Sequence, residues 1–439
     1  MSKTNHTIFI SSALLLLFSV AGCKKDYINP NAATETETFS SDRAATAVAA
    51  GLQRVYSTTA ASPLYALINA NGFVTNELIL RNAGNIPELQ LSTGAVDATN
   101  TVLANVWTKS NKIIYDADNV IRYANGLSDK SYASGLISFV SIYKALSIGN
   151  MSMLWENVPD TTGINVAFIS RIDGFKKAVS VLNNAISLYT ANPPSSSVLN
   201  RLPIDMDMTT PLIVDIDILN TLYALKARYS LYAGDYPVAL AAANMVDLTK
   251  KSALSFDALA QNPVFESATA TNNVYQPVDS TLGLPPSLAP SLSDKRIPFY
   301  IGINTTIAPR YRIRGFYASG TTQIPIYLPG EIMLIKAEAL ARQDMLPQAL
   351  IELNRVITKT PAQDIYGVGA DLPAFAGTTK DQILTEIYRQ RSIELFMSGL
   401  KLEDMRRFGR PVAERKRNFF PYPFQERDNN PNTPADPLF

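Results

Sequence analysis

Carboxylates are the main side chains with which this chain could perform acid–base or metal chemistry. Its single histidine, His6, and its single cysteine, Cys23, both lie close to the N-terminus. The rest of the chain therefore lacks the residues of a Ser-His-Asp or Cys-His nucleophilic site and of the usual Cys/His zinc site. A mechanism that uses carboxylates alone, or a calcium site built from oxygen ligands, remains open.

Two aspartates, Asp205 and Asp207, lie in a segment that resembles the Asp-x-Asp-x-Thr box of phosphoryl-transfer hydrolases. That chemistry needs the first aspartate at the end of an apolar parallel strand. Pro203 precedes the box and disfavours such a strand, and no glycine follows where a calcium-binding loop needs one. We interpret these aspartates, together with Asp215 and Asp217, as a solvated loop and the start of a helix.

Arg391 and Glu394 lie on the apolar stripe of the last predicted long helix, at helical spacing from Leu384 and Ile387. Charged residues on the face that meets the core favour a buried structural ion pair between Arg391 and Glu394. The alternative is a catalytic carboxylate with a raised pKa. We favour the ion pair, because the arginine would keep the carboxylate ionised.

Candidate ligand-binding residues lie in segments that have lost helical periodicity. Polar residues in an irregular excursion at 69–94 could form hydrogen bonds with a ligand. Tyrosine rings in loops could act as flat platforms on which the apolar CH faces of sugar rings stack. The candidates are Arg81, Asn82, Asn85, Tyr300, Tyr311 and Tyr317.

The charge balance gives no indication of a nucleic-acid partner. The formal net charge is only +1, whereas nucleic-acid-binding domains carry a basic excess. The segment 406–417 is locally basic, and nucleic-acid binding is one interpretation of it. We favour the other interpretation, in which these cations follow the C-terminus of a helix and lie in a solvated loop.

Two helical hairpins must position these side chains. Residues 331–357 predict two amphipathic helices joined by a short turn, which makes them antiparallel neighbours. The same pattern occurs 110 positions earlier, in residues 219–248, with Pro237 at the place of Pro347. Each copy resembles a tetratricopeptide repeat. Since such a hairpin cannot bury its apolar face alone, we expect further hairpins to stack on these two.

The remaining elements complete a mainly α fold: a tetratricopeptide-like scaffold of helical hairpins with a loop-rich insert that carries a few short strands. We divide the chain into an N-terminal helical region (41–250), the insert (251–329) and a C-terminal helical region (330–439). Short strands are predicted at 296–300 and 311–317, and a loop at 155–159. Further helices are predicted at 41–56, 100–124, 130–149, 174–189 and 380–397.

The N-terminus resembles a bacterial lipoprotein signal. An apolar run from Ile8 to Val20 is too short to span a bilayer as a permanent helix, and it ends in Val20-Ala21-Gly22-Cys23. In such signals the chain is cut before the cysteine, which is then acylated. We therefore predict a signal peptide at 1–22, a lipidated Cys23 and a polar tether at 23–40. The alternative is an ordinary secretory signal with an incidental cysteine.

Three segments of the C-terminal third form a recognisable pattern: Arg391-x-x-Glu394-Leu395 with Gly399, Lys401, Asp404 and Arg406-Arg407, the entry at 334–339, and the tail at 421–426 with Asn430-Pro431-Asn432. This pattern resembles the signature of the SusD/RagB family, and the first half of the chain resembles the family loosely. Gln390 and Ser398 stand where the family usually has glutamates, Lys401 replaces an arginine, and Leu402 replaces a tryptophan.

The resemblance implies a lipoprotein of the outer membrane that covers a TonB-dependent transporter and captures nutrients, commonly glycans, without cleaving them. The family's ligand residues lie in variable loops, so none is transferred to this sequence.

We therefore expect a lipid-anchored protein of the outer membrane that faces the cell exterior. It would bind a nutrient, foremost an oligosaccharide, and deliver it to a TonB-dependent outer-membrane transporter. We expect no catalysis, no cofactor, no metal and no nucleic-acid partner. Two alternatives stay open. One is a secreted glycoside hydrolase with two carboxylates about 5–10 Å apart, and the other is an interaction scaffold that binds no small ligand.

Overall fold

The computed structural model describes residues 39, 41–202, 216–270 and 274–439. Within these residues the chain consists of sixteen α-helices and eight short strands, so the predicted mainly α fold is confirmed. Several sequence predictions concern residues outside the described part and stay predictions: the signal peptide, most of the tether, Cys23, Asp205, Asp207 and Asp215.

The helices and strands are numbered in chain order. The helices of the N-terminal region are α1 (Asp42–Ser57), α2 (Pro63–Val74), α3 (Ile86–Thr93), α4 (Thr101–Asn125), α5 (Lys130–Leu154), α6 (Arg171–Ala191), α7 (Ser196–Leu199), α8 (Ile218–Tyr232) and α9 (Tyr236–Asn244). The later helices are α10 (Pro263–Phe265), α11 (Arg296–Tyr300), α12 (Pro329–Arg342), α13 (Leu346–Ile357), α14 (Lys380–Glu394), α15 (Lys401–Arg407) and α16 (Phe424–Asn429). The strands are β1 (Leu78–Leu80), β2 (Asn157–Pro159), β3 (Phe168–Ser170), β4 (Ala253–Leu254), β5 (Tyr275–Pro277), β6 (Ile301–Ile303), β7 (Tyr311–Ile313) and β8 (Ile324–Pro325).

Side-chain caps fix where the long helices begin. Ser41, Asn100, Asp129 and Asp217 each accept a hydrogen bond from a backbone amide in the first turn of the helix that follows. Such caps satisfy amides that have no partner within the helix. The interpretation of Asp217 as a helix start is confirmed.

The long helices form one continuous stack. Helix α5 packs between α4 and α6, α6 packs on α8, α9 packs on α12, and α14 packs on α12 and α13. Helix α5 is buried along almost its whole length because it has neighbours on several sides. The expectation that further hairpins stack on the two recognised in the sequence is therefore confirmed.

The two repeated hairpins are α8–α9 and α12–α13, as predicted. Each contains a residue with positive φ in its turn, Gly234 in the first and Asp344 in the second. Ala227 and Ala239, which pack where α8 meets α9, are fully buried. Small side chains at this contact allow the two helix backbones to approach closely.

The described strands pair as four separate two-stranded antiparallel sheets: β1 with β5, β2 with β3, β4 with β8, and β6 with β7. Three of these pairs involve the insert. The pair β1–β5 joins the insert to the excursion that follows α2, so the insert is fixed to the N-terminal helices rather than attached by its ends alone.

Three local predictions were wrong. Asn69 lies inside the buried helix α2, because its side-chain amide donates to the Tyr65 carbonyl and so needs no loop or solvent. Residues 157–159 form strand β2 rather than a loop, since they pair with β3. Arg296–Tyr300 is a short helix, in which the Asp294 carboxylate accepts a hydrogen bond from the Arg296 amide, and the strand begins only at Ile301.

Candidate functional site

Strand β5 connects the two segments that carry the exposed candidate residues. On one side it pairs with β1, and beyond this pair the amides of Arg81 and Asn82 both donate to the Val274 carbonyl, at 2.7 and 3.2 Å. On the other side, the Gln276 side-chain oxygen accepts a hydrogen bond from the Ile313 amide of β7, at 2.9 Å. The 81–85 turn and strand β7 are therefore held to the same strand.

The turn at 81–85 is exposed and shaped by its own asparagines. The Asn82 side-chain oxygen accepts a hydrogen bond from the Gly84 amide at 3.1 Å, and the Asn85 side-chain amide donates to the Asn82 carbonyl at 3.2 Å. Such local bonds hold asparagine-containing turns in one conformation. The Arg81 side chain is exposed and forms no ion pair with any described residue.

The hairpin β6–β7 extends beyond the core and exposes both apolar and basic side chains. Its register places Tyr311 opposite Ile303, a residue that is 63% exposed. The Arg310 guanidinium lies 5.9 Å from the centre of the Tyr311 ring. The loop that joins the strands exposes a second isoleucine, Ile307. An exposed isoleucine pair beside a half-buried tyrosine offers an apolar surface to a ligand.

Two arginines, one in β7 and one just after it, lie against this hairpin. The Arg312 guanidinium donates to the carbonyls of Ile307 and Ala308, both at 3.2 Å, and so holds the connecting loop against its own strand. The Arg314 side chain lies across Gly302 of β6, where an added Cβ would be only 3.0 Å from it. Gly302 therefore allows the arginine to lie flat on the hairpin.

The structure does not support Tyr300 and Tyr317 as exposed platforms. They are 2% and 3% exposed, and their hydroxyls donate to the carbonyls of Glu394 and Met397, at 2.6 and 2.7 Å. Burial also raises the pKa of both phenols. Both rings line a small internal cavity of about 60 Å³, so neither offers a face to a ligand from solvent.

Arg391 and Glu394 are fully buried, but they do not pair with each other. Arg391 donates to Asp404 at 2.9 Å, whereas Glu394 accepts hydrogen bonds from Arg296 and Lys359, both at 2.9 Å. The predicted pairing was therefore wrong, although both side chains are in the core. The reason is that α15 supplies the partner of Arg391, while α11 and the loop after α13 supply those of Glu394.

One buried carboxyl group, Glu77, has the raised pKa that general acids often show. Burial raises its pKa to about 7, and one of its oxygens accepts a hydrogen bond from the Met397 amide at 3.4 Å. Its side chain is only 1% exposed, so a substrate does not reach it in this conformation. Within the described residues, no group of histidine, cysteine or acidic side chains is arranged to hold a metal ion.

A separate cavity of about 180 Å³ lies between α4, α5 and the loop after β2. Two ion pairs line it, Lys144 with Asp118 and Lys177 with Asp160. Because these charges already neutralise each other, the cavity shows no preference for a charged ligand. It contains none of the candidate residues from the sequence.

Four of the predicted ligand residues, Arg81, Asn82, Asn85 and Tyr311, lie at least partly exposed on the two segments held by β5, and their binding role stays a prediction. The sequence analysis did not name Ile303, Ile307 or the arginines of the hairpin. The signal that could have found Arg310, Arg312 and Arg314 is their alternation, since every second residue of a strand lies on the same face.

None of the helices in the described part of the chain has the length and apolar character needed to cross a membrane.

Solved structures of the SusD superfamily are similar to this chain over most of its length. A SusD homolog from Bacteroides thetaiotaomicron aligns with a TM-score of 0.71 at 14% identity, over 93% of this chain and 99% of its own. A SusD superfamily protein from the same species gives 0.68 at 16% identity, over 90% and 100%. A SusD-like carbohydrate-binding protein from Bacteroides fragilis gives 0.61 at 15% identity, over 85% and 87%.

No protein-family model and no curated protein sequence matches the chain. At these low identities the structural likeness shows the fold. The resemblance that the sequence predicts is thus confirmed at the level of the fold.

Proposed function

We propose that this chain, which has the SusD superfamily fold, is a SusD/RagB-family lipoprotein that binds an oligosaccharide at its surface without cleaving it. The observation that carries the proposal is the likeness over nearly the whole length of several SusD proteins, one of them described as carbohydrate-binding. The C-terminal sequence signature supports it independently, because residues that belong to the family pattern, such as Asp404 and Arg407, lie in the buried ion-pair network.

The proposed ligand surface consists of the 81–85 turn and the hairpin β6–β7. Arg81, Asn82 and Asn85 offer polar groups on one side of β5, and Tyr311 offers a ring on the other. Sugars are commonly recognised by such a combination, in which hydrogen bonds fix the hydroxyls and an apolar face packs against the CH groups. Tyr300 and Tyr317 are no longer part of the proposal.

The chain would act at the outer membrane together with a transporter. Acylation of Cys23 would anchor it, and the tether would let it cover a TonB-dependent transporter on the outer face of the cell. The bound oligosaccharide would then be passed to the barrel intact.

Isothermal titration calorimetry with a panel of purified oligosaccharides tests the binding function. We expect saturable binding by the parent protein. We expect roughly tenfold weaker binding for Arg81→Ala and for Tyr311→Ala, as for the loss of a contact to a charged or aromatic group. Arg43→Ala, which changes an exposed arginine on α1, serves as the control and should bind normally.

Unchanged affinity in both variants would reject the proposed surface. Release of reducing sugar by the purified protein would instead support a glycoside hydrolase. Co-purification of a transporter without affinity for any oligosaccharide would support a pure interaction scaffold.

A further inference from the structure

We infer that the ligand surface selects acidic glycans, whose carboxylate or sulfate groups pair with Arg310 and Arg314, with Arg81 as a third cation. The inference rests on the proposed function and specifies the class of oligosaccharide that this surface takes.

The first observation is the charge of the segment that contains the hairpin. Between Lys295 and Gly330 the chain has no aspartate or glutamate, but it has Lys295 and four arginines, Arg296, Arg310, Arg312 and Arg314. The whole chain is almost neutral, with 39 basic and 38 acidic residues. The segment between Lys295 and Gly330 therefore carries a local excess of positive charge, although the earlier part of the insert contains Asp257, Glu266, Asp279 and Asp294.

The second observation is that the structure uses only some of these cations. Arg296 is buried in ion pairs with Asp294 and Glu394, and Arg312 holds the connecting loop through two carbonyls. Arg310 and Arg314 are exposed and form no ion pair with any residue in the described part of the chain. Their positive charge is therefore not needed for the fold that the structure shows.

Lack of an ion pair is not in itself special to the hairpin. Arg43, Arg122 and Arg201 are also exposed, and none of them forms an ion pair with a described residue. Arg310 and Arg314 differ from these because they lie close together in a segment that has no acidic residue.

The third observation is the setting of the unpaired arginines. Arg310 lies beside the Tyr311 ring, and Arg314 lies flat across Gly302, next to a hairpin that also exposes Ile303. A guanidinium group offers paired N–H donors that match the two oxygens of a carboxylate or sulfate. Ile303 and Tyr311 lie opposite each other and share one face of the hairpin. Arg314 lies across Gly302 on the other face, because successive residues of a strand alternate between faces. The apolar groups and Arg314 therefore contact different parts of a bound chain. An acidic glycan satisfies the exposed cations, whereas a neutral one leaves them unused.

Arg81 lies in the turn beyond β1, on the other edge of β5, and it is exposed and unpaired among the described residues. An extended polymer with repeated negative charges can contact cations on both sides of the strand. Several such contacts raise affinity and association rate together, and salt weakens both.

The experiment compares each acidic ligand with a counterpart of the same sugar backbone that carries less negative charge. The full-length protein is titrated with a short oligogalacturonide and with its fully methyl-esterified form, and with a chondroitin sulfate oligosaccharide and its desulfated form. We expect each acidic ligand that binds to do so at least about tenfold more tightly than its neutral or less charged counterpart, because each guanidinium–anion contact is a charge-assisted hydrogen bond. Added salt should reduce this preference.

The matched variants are the double substitution Arg310→Gln/Arg314→Gln and the control Arg43→Gln. The double variant should lose most of the preference for acidic ligands while the far-ultraviolet circular dichroism and melting temperature stay unchanged, because neither side chain supports the fold. The control should retain the preference in full.

The outcomes separate the two proposals. Equal or tighter binding of the neutral ligands, or an unchanged preference in the double variant, overturns the inference and leaves the binding function standing. Binding to vesicles of anionic phospholipid without binding to any oligosaccharide also overturns it, since the cations would then face a lipid surface. A lack of affinity for every acidic and neutral oligosaccharide rejects the binding function and the inference together.

Discussion

At the scale of single residues, buried charges in the C-terminal third are matched by more than one partner. Glu394 accepts hydrogen bonds from both Arg296 and Lys359, and the Arg407 guanidinium contacts both Glu338 and Asp404. The two partners of each of these side chains lie in different elements of the chain. One buried side chain therefore holds several segments in fixed relative positions. Such sites tolerate the loss of one member poorly, because the remaining charges are left in a medium of low dielectric constant.

Glu394→Ala should therefore destabilise the protein severely. Removing the carboxylate leaves the Arg296 and Lys359 charges buried without this partner, which lowers the free energy of unfolding by about 3–5 kcal/mol. Urea denaturation followed by circular dichroism measures the change. The control is Glu352→Ala, which breaks the partly exposed pair with Arg355 and should cost less than about 1 kcal/mol. Equal losses in the two variants would contradict this account of the network.

Glu77 should make the folded protein less stable as the pH rises. An ordinary ion-paired carboxylate has the opposite effect, because its pKa is lowered on folding. Burial raises its pKa from 4.5 to about 7 in the folded protein. Over this range the folded state keeps a proton that the unfolded chain has released, so stability present at acidic pH is lost as the pH rises through about 7. The loss is on the order of 3 kcal/mol.

The test compares the parent with Glu77→Gln by urea denaturation at about pH 5 and about pH 8. The Glu77→Gln variant cannot ionise at position 77. Its free energy of unfolding, relative to that of the parent, should therefore increase from about pH 5 to about pH 8. A constant difference would show that Glu77 has an ordinary pKa.

The residue scale is also where sequence reasoning failed most. It placed Arg391 and Glu394 in the core correctly from their position on an apolar stripe. It could not find the partners of Glu394, because Arg296 is 98 positions away and Lys359 is 35. Tyr300 was wrongly interpreted as a loop residue for the same reason. Its hydroxyl donates a hydrogen bond to the carbonyl of Glu394, which lies in a helix far away in the sequence.

At the scale of elements, two glycines in long helices have opposite surroundings. Gly149 of α5 faces Tyr229 of α8, and an added Cβ would be 2.2 Å from the ring. Gly51 of α1 has no atom of a neighbouring element within 4 Å of such a Cβ. Glycine in the interior of a helix is unfavourable unless close packing requires it. Only Gly149 has such a requirement.

Alanine substitutions at these positions should change stability in opposite directions. Gly51→Ala should raise the free energy of unfolding by about 0.5–1 kcal/mol, because alanine favours the helix and meets no obstacle. Gly149→Ala should lower it by about 1–3 kcal/mol, since the buried Tyr229 ring must shift. Thermal denaturation of the two variants under identical conditions measures both effects. Stabilisation by both substitutions would show that α5 and α8 can separate without cost.

Element prediction succeeded where the signal was local. The hairpins α8–α9 and α12–α13 follow from apolar periodicity, short turns and prolines in the first turn of their second helices. The strands of the insert have only two or three residues each, and outside the local hairpin β6–β7 they exist because distant segments pair with them, as β1 does with β5. No pattern within three residues can specify such a partner, so Arg296–Tyr300 was assigned to the wrong class.

At the scale of the whole molecule, the C-terminal tail packs on the N-terminal helices. The Trp107 indole donates to Glu426 and the Trp155 indole donates to the Pro421 carbonyl, both at 2.9 Å. The Tyr422 ring meets the Trp107 ring edge to face at 5.7 Å. These are the only two tryptophans of the chain. The environment of the two indole rings therefore reports on whether the C-terminal tail is packed on helices α4 and α5.

Tyr422→Ala should destabilise the protein by about 3–5 kcal/mol, as for other large aromatic side chains removed from a core. It should also shift the tryptophan emission to longer wavelength, because water gains access to the indoles. Phe424→Ala is the matched control, since Phe424 is two residues away and 54% exposed, and it should change stability by less than about 0.5 kcal/mol. An unchanged emission maximum for Tyr422→Ala would contradict the proposed docking.

The position of this tail has a consequence for the order of events during synthesis. A ribosome releases the N-terminal helices long before residues 419–439 exist, and domains generally begin to fold as they emerge. The tryptophan cluster of the early helices, however, is completed by residues after 419, including the contact of the Phe420 amide with the Leu154 carbonyl at 3.1 Å. A nascent chain that has made every long helix still exposes this aromatic surface until residues 419–439 have been made and can cover it.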